Sequence, residues 1–148
     1  STTSETTDVN LDIVLKDLQK ILFIPENISV QVLNKLPIVK GEKTKLQQLF
    51  QNLISNAIKF NDKENGLIQI DVSENKSFYE FSIKDNGIGI QKKYLDKIFK
   101  FFHSLKPSKE SSGIGLSIVK KIVDVYQGEI WIESEPKLGT TFYFTLKK

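Results

Sequence analysis

The sequence predicts an α+β fold: a two-layer sandwich with a mixed, mostly antiparallel sheet and helices on one face. Three observations carry this. Two pairs of alternating segments, LIQIDVS with FYEFSIK and EIWIES with TTFYFTL, are each joined by a short turn and read as hairpins. Helical periodicity separates and precedes them, so the strands cannot close into an all-β architecture. At 148 residues, 39% hydrophobic and 26% charged, the chain suits one globular domain, burying roughly 70% of its unfolded surface.

Residues 1–8 are polar and read as a flexible lead-in. The absent initiator Met and the start STTSETTD suggest a piece excised from a longer chain. Leu11, Val14, Leu15, Leu18, Ile21 and Leu22 then recur at helical spacing, with Asn10 placed to cap that helix. Pro25 and Asn27 break the pattern, ISVQVL (28–33) alternates as a strand, and LPIVKGE leads into the next helix.

That helix, over about 43–60, is the strongest periodic segment. Leu46, Leu49, Phe50, Leu53, Ile54, Ala57 and Ile58 form its apolar face. Asn52, Asn56 and Lys59 stack on another stripe, because steps of four and three stay on one side. After the first hairpin come a glycine-rich loop and an amphipathic helix through Leu95, Ile98, Phe99 and Phe102. Residues 103–113 carry Pro, Ser and Lys without periodicity and read as a loop. A helix over about 115–127 ends before Gly128, the predicted C′ residue. The second hairpin, turning at PKLG, closes the chain. The unit spans 9–148, with no internal repeat or linker.

Composition narrows the chemistry. There is no Cys, no Met, no Arg and a single His. That removes disulfides, thiolate nucleophiles, Cys-based metal sites and multi-His sites. Without guanidinium, any phosphate must be held by Lys, backbone N–H groups or a metal ion. No apolar run reaches the roughly 18–20 residues of a membrane span. The absence of Cys is compatible with the cytoplasm. The net charge of +3 is uneven: residues 91–121 hold eight Lys against Asp96 and Glu110, so the rest of the chain is acidic. Such a cluster is either a solvated face or a patch for a polyanion.

Two glycine pairs stand out, Gly87-Ile-Gly89 and Gly113-Ile-Gly115. Neither fits a dinucleotide fingerprint, since Lys92 and Ile118 occupy the third-glycine positions, and no P-loop motif is present. The second pair opens a helix, whose N-terminus presents unpaired N–H groups and a positive dipole end to an anion. The flanking lysines favour a phosphate there. Asp85 ends an apolar strand at the first glycine loop, and a carboxylate so placed needs a donor. That donor is either a nearby backbone N–H or an exocyclic amine such as adenine N6. Asn is a poor helix-interior residue, so Asn52 and Asn56 at i and i+4 call for a reason. Either they are exposed filler, or an amide oxygen faces Mg²⁺ with Lys59 reaching a phosphate.

In order and spacing, five segments resemble the motif boxes of the catalytic ATP-binding domain of sensor histidine kinases, the Bergerat (GHKL) fold. They are Asn52-x3-Asn56-x2-Lys59-Phe60, Asp85-Asn-Gly-Ile-Gly-Ile90, Ile98-Phe-Lys-Phe-Phe102, Gly113-Ile114-Gly115-Leu116 and Gly139-Thr140-Thr-Phe. The resemblance covers about residues 9–148. The closing stretch from Gly113 is similar to kinases of the PAS- and phytochrome-linked type.

The resemblance implies ATP and Mg²⁺ as ligands and assigns roles. Asn56 would coordinate Mg²⁺, Asn52 would support phosphate or metal through water, and Lys59 would contact phosphate. Phe60 would pack near the adenine. Asp85 would accept from its N6, with Gly87 and Gly89 allowing close approach and Ile90 and Thr140 completing the base site. Residues 99–115, with Phe102 at their start, would form a lid over the ATP. Gly113, Ile114, Gly115 and Leu116 would give N–H groups to the phosphates, and Lys106 and Lys109 would stand in for lid arginines.

Gyrase-, Hsp90- and MutL-like ATPases of the same fold carry Glu at the first N-box position. This chain has Asn52, which cannot act as a general base, and that favours a kinase over an ATPase. A non-catalytic nucleotide-binding or docking module would lose the Asn or the Asp, and both are present. A nucleic-acid platform is disfavoured because Phe99, Phe101 and Phe102 lie at a helix end rather than on a sheet face. His103, between Phe102 and Ser104, reads as a lid residue, since a phosphoacceptor needs a dimeric helical hairpin. The implied partners are a phosphoacceptor (dimerisation) domain of the same parent and a response-regulator receiver. The piece itself would be monomeric and its parent homodimeric, with no membrane contact by this domain.

Overall fold

The structure, a computed structural model, describes residues 6–102 and 115–148. Among these the order is β1 (Thr7–Asn10), α1 (Leu11–Ile21), β2 (Ile28–Val32), β3 (Ile38–Gly41), α2 (Lys43–Lys59), β4 (Gly66–Glu74), β5 (Phe78–Asp85), α3 (Lys92–Phe102), α4 (Leu116–Val125), β6 (Ile130–Glu135) and β7 (Gly139–Lys147).

The main sheet runs β2-β4-β5-β7-β6. Its β2–β4 pair is parallel, and both anticipated hairpins pair antiparallel, β4 with β5 and β6 with β7. The β5–β7 pairing joins the two hairpins and sets Asp85 opposite Thr140. Alternation gives the sheet one buried face. Ile68, Ile70, Phe81, Ile83, Phe142 and Phe144 point into the core, where Leu46, Leu49, Phe50 and Leu53 of α2 meet them. Phe50 stands edge-on to Phe81 and Phe144, with centroids 5.5 and 5.4 Å away, and those two rings stack at 5.0 Å. These are the offset and T-shaped arrangements that ring quadrupoles favour. This aromatic cluster seats the middle of α2 on the sheet. The other face carries Glu80, Lys84 and a Trp131–Tyr143 stack.

Asn10 caps α1 as predicted, its Oδ1 accepting from the N–H groups of Asp12 (3.0 Å) and Ile13 (3.4 Å). Two features differ from the sequence reading. Thr7–Asn10 and Ile38–Gly41 form a separate two-stranded ribbon, so Thr7 and Asp8 already pair with Gly41 and Lys40. Neither four-residue segment has enough alternation to announce a strand alone. The end of α4 is also shifted by one residue. Gln127, not Gly128, takes the left-handed C′ conformation (φ 57°). Its N–H donates to the Asp124 carbonyl and that of Gly128 to the Val123 carbonyl, a Schellman closure. Gly128 is needed for space, because a Cβ there would overlap the Thr145 carbonyl oxygen.

Candidate nucleotide site

A cavity of about 670 Å³ lies between α2, the β5–α3 loop, α3 and the start of α4, within the usual size of a small-molecule site (about 300–1,000 Å³). Of the residues singled out in the sequence, Asn56, Phe60, Asp85, Gly89, Ile90, Leu116 and Thr140 all line it. They come from four separate parts of the chain, and the fold brings them together.

Asp85 is held at its floor by the β5–β7 pairing. Its Oδ1 accepts two backbone hydrogen bonds, from Gly87 at 2.8 Å and Thr140 at 3.3 Å. Oδ2 has no hydrogen bond among the described residues. The two alternatives for its donor are therefore not exclusive: one oxygen caps the turn, and the other is left to the cavity. Burial pushes the Asp85 carboxyl above the usual carboxylate range, and the two N–H bonds only partly offset it.

The glycine loop is built by close approach. Gly89 sits at φ 72°, and a Cβ there would overlap the Glu135 carbonyl oxygen. A Cβ at Gly87 would crowd the Phe60 carbonyl oxygen, which accepts from the Ile88 N–H at 3.1 Å. The sequence reading missed two polar clamps. Asn86 Oδ1 accepts from Leu67 N–H (2.8 Å) and Asn61 Nδ2 (2.9 Å), tying the loop to the α2–β4 connection. Ser134 Oγ accepts from Ile90 N–H (2.8 Å), donates to the Gly139 carbonyl (3.0 Å) and meets the buried Thr140 hydroxyl (2.8 Å). Ser134 was findable: a turn at PKLG sets it opposite Thr140. Also missed were Tyr94 and Lys97 of α3, which form the facing wall together with Phe101.

At the other helix pair, a Cβ on Gly115 would stand 3.3 Å from the Asn52 amide, so α4 begins against that side chain. Asn52 Nδ2 is buried with no hydrogen-bond partner among the described residues. A side-chain amide carries both a donor and an acceptor, so this position offers either a donor to an anion or an oxygen to a hydrated cation. The α4 N-terminus has Gly115 at its cap (φ 70°), no side-chain cap and no acidic residue in its first turn. Its N–H groups suit an anion. Lys59 does not reach the cavity wall. It is exposed on the last turn of α2, with its Nζ 5.4 Å from the Phe60 ring centre. Phe102 closes α3, so residues 99–102 of the anticipated lid are helical. His103, Lys106, Lys109, Gly113 and Ile114 lie outside the described residues.

The chain as a whole is similar to known proteins. The family described as histidine kinase-, DNA gyrase B- and HSP90-like ATPase matches residues 41–148. The chain belongs to this family. Within it, the similarity is to histidine kinases. Cyanobacterial phytochrome A of Nostoc sp. is 46% identical over 113 residues, 75% of this chain and 15% of that protein. Sensor histidine kinase WalK of Bacillus subtilis is 36% identical over 127 residues, 79% of this chain and 21% of that one. The nucleotide-free catalytic domain of histidine kinase ThkA superposes with a TM-score of 0.73 at 28% identity, covering 97% of this chain and 96% of that one. The chain thus matches a histidine-kinase catalytic domain almost end to end, but spans about one sixth of the phytochromes it resembles.

This histidine-kinase-type ATP-binding domain has no described helix long and apolar enough to cross a membrane. The described residues also contain no cluster of three or more His, Cys, Asp or Glu side chains able to hold a metal. A protein-only metal cage is therefore not available among them. Mg²⁺ needs no such cage, since it keeps most of its waters and takes ligands from substrate phosphates.

Proposed function

We propose that this domain binds Mg·ATP and passes the γ-phosphate to a histidine on a separate dimerisation domain of its parent. From there the phosphoryl group would go to an aspartate on a response-regulator receiver. The observation that carries the reading is the division of one cavity. An unengaged Asp85 oxygen lies on its floor among apolar walls, while Asn56 and Leu116, the first residue of α4, line another part, and the orphaned Asn52 amide lies outside the lining against Gly115 at the start of α4.

Asp85 Oδ2 accepts from the adenine N6 amine, and Ile90, Phe60 and Phe142 enclose the ring. Thr140 and Ser134 hold Asp85 and the glycine loop in place rather than contacting the base. Asn56 is the metal-facing amide, with Asn52 one turn before it supporting phosphate or metal-bound water. Mg²⁺ supplies charge neutralisation along the phosphates when bound. The α4 N–H groups cradle the phosphates. Lys59, outside the cavity wall, takes no part in this assignment.

Phosphoryl transfer asks for positioning and charge neutralisation more than for covalent chemistry by the protein. Asn52 offers no general base for water, so the γ-phosphate is kept for the incoming imidazole. Replacing Asn56 by Ala tests the metal role. Affinity for a non-hydrolysable ATP analogue should fall about tenfold in Mg²⁺ and become the same with and without chelator. An Asn56→Ala chain that keeps its Mg²⁺ response rules that role out.

The raised Asp85 pKa gives a pH signature. The folded chain holds this proton more tightly than the unfolded chain. The stability it contributes is therefore fully present below the ordinary aspartate pKa and lost as pH rises through the higher folded value. Nucleotide affinity runs the other way, since N6 needs the ionised acceptor. Calorimetry of analogue binding from about pH 4 to 7 should show affinity rising as apo stability from this group falls. A flat affinity profile would separate Asp85 from the base.

A further inference from the structure

Three elements meet at Tyr126, which caps the C-terminus of α4. Its carbonyl accepts from the Lys147 N–H at the end of β7 (3.1 Å). Its hydroxyl accepts from the N–H of Glu42 (2.9 Å), the N-cap residue of α2. Gly41 makes room for this: a Cβ there would overlap the hydroxyl oxygen and lie 2.8 Å from two ring carbons. Glu42 makes no side-chain cap, so the tyrosine hydroxyl is the side-chain group engaged at this helix start.

The start of α4 also touches the middle of α2, where Gly115 lies against the Asn52 amide. The helices are therefore antiparallel, in contact at two points, the start and the middle of α2. Ten residues separate Glu42 from Asn52 on one helix, and eleven separate Gly115 from Tyr126 on the other. At about 1.5 Å per residue these are struts of about 15 and 16.5 Å. The two contacts are in register, and sliding one displaces the other.

We infer that the Tyr126 hydroxyl is a positioning group for the phosphate end of the nucleotide site, acting through α4 on the spacing between its N-terminus and the Asn52 amide. The inference rests on the reading that those two groups receive the phosphates. It concerns a residue at the far end of the helix pair from the cavity and touching no ligand. Because α4 and α2 each carry one half of that phosphate site, losing the hydroxyl should weaken the hold on phosphates without altering the base pocket.

Calorimetry on the full chain with Mg²⁺, comparing a non-hydrolysable ATP analogue with adenosine, tests this. The unmodified chain should bind the analogue more tightly. Tyr126→Phe keeps the ring and removes one oxygen. It should reduce the analogue's advantage by roughly five- to tenfold, the effect of one hydrogen bond, with adenosine affinity unchanged. An unchanged ratio, or an equal loss for both ligands, overturns the inference. Should Tyr126→Phe unfold, amide exchange in the unmodified chain gives the same answer by linkage. Exchange at Glu42 should slow with the analogue and not with adenosine, and equal exchange in both overturns it. If the unmodified chain does not distinguish analogue from adenosine, the nucleotide reading itself fails, and the inference falls with it.

Discussion

Replacing Asp85 by Asn should abolish adenine-nucleotide binding while leaving the fold intact. Oδ1 caps the Gly87 and Thr140 N–H groups, and an amide oxygen can keep both bonds. The change falls on Oδ2, where an NH₂ group would face the N6 amine of the base. A strong acceptor is lost and two donors are set against each other. A hydrogen bond to a charged acceptor contributes roughly 1.5–3 kcal/mol, so its loss alone should lower affinity by about 10- to 150-fold, and the donor–donor repulsion adds to that. Because burial of the carboxylate is unfavourable in the free protein, the neutral amide should not lower thermal stability. Calorimetry and a thermal melt on the same sample check both halves. Undiminished affinity would remove Asp85 from the base site.

Gly139→Ala should do the reverse, harming stability first and binding in consequence. Gly139 has φ 130°, a conformation that L side chains rarely adopt, and its Cβ would overlap the Asp85 carbonyl oxygen, which is backbone and cannot swing away. Strain of this kind alone costs about 1–3 kcal/mol, and the overlap adds to it. A total near 3 kcal/mol would lower the melting temperature by roughly 10 °C for a chain of this size. Since the clash is with Asp85 itself, any folded fraction should bind nucleotide weakly. A thermal melt within about 1 kcal/mol of the unmodified chain would mean that the β5–β7 approach is looser than described.

How much was legible in the sequence depended on what each residue answers to. The amphipathic run from Leu46 to Ala57 and the alternation of β4, β5 and β7 were readable because burial imposes a period. Asp85, Asn52 and Asn56 were readable because their chemistry is out of place for a strand end and a helix interior. The β1–β3 ribbon was not, since TDVN and IVKG are strands only through each other. Gln127 was missed because Gly128 beside it is the expected left-handed residue, yet that glycine serves a close contact with β7 instead. Lys59 shares the stripe of Asn52 and Asn56 but sits outside the cavity wall, because the stripe leaves the site within one turn. Tyr94 and Lys97 looked like the polar face of an ordinary helix. Only the position of α3 across from Asp85 makes them part of the site.

The central claim is that this domain holds ATP for transfer to a histidine it does not itself supply. The most direct test mixes the unmodified chain, γ-labelled ATP, Mg²⁺ and the separately produced dimerisation domain of its parent kinase. The prediction is acid-labile label on a histidine of the added domain, none on this chain alone, and none with Asp85→Asn. Rapid release of labelled inorganic phosphate without transfer, or label appearing on His103, would contradict it.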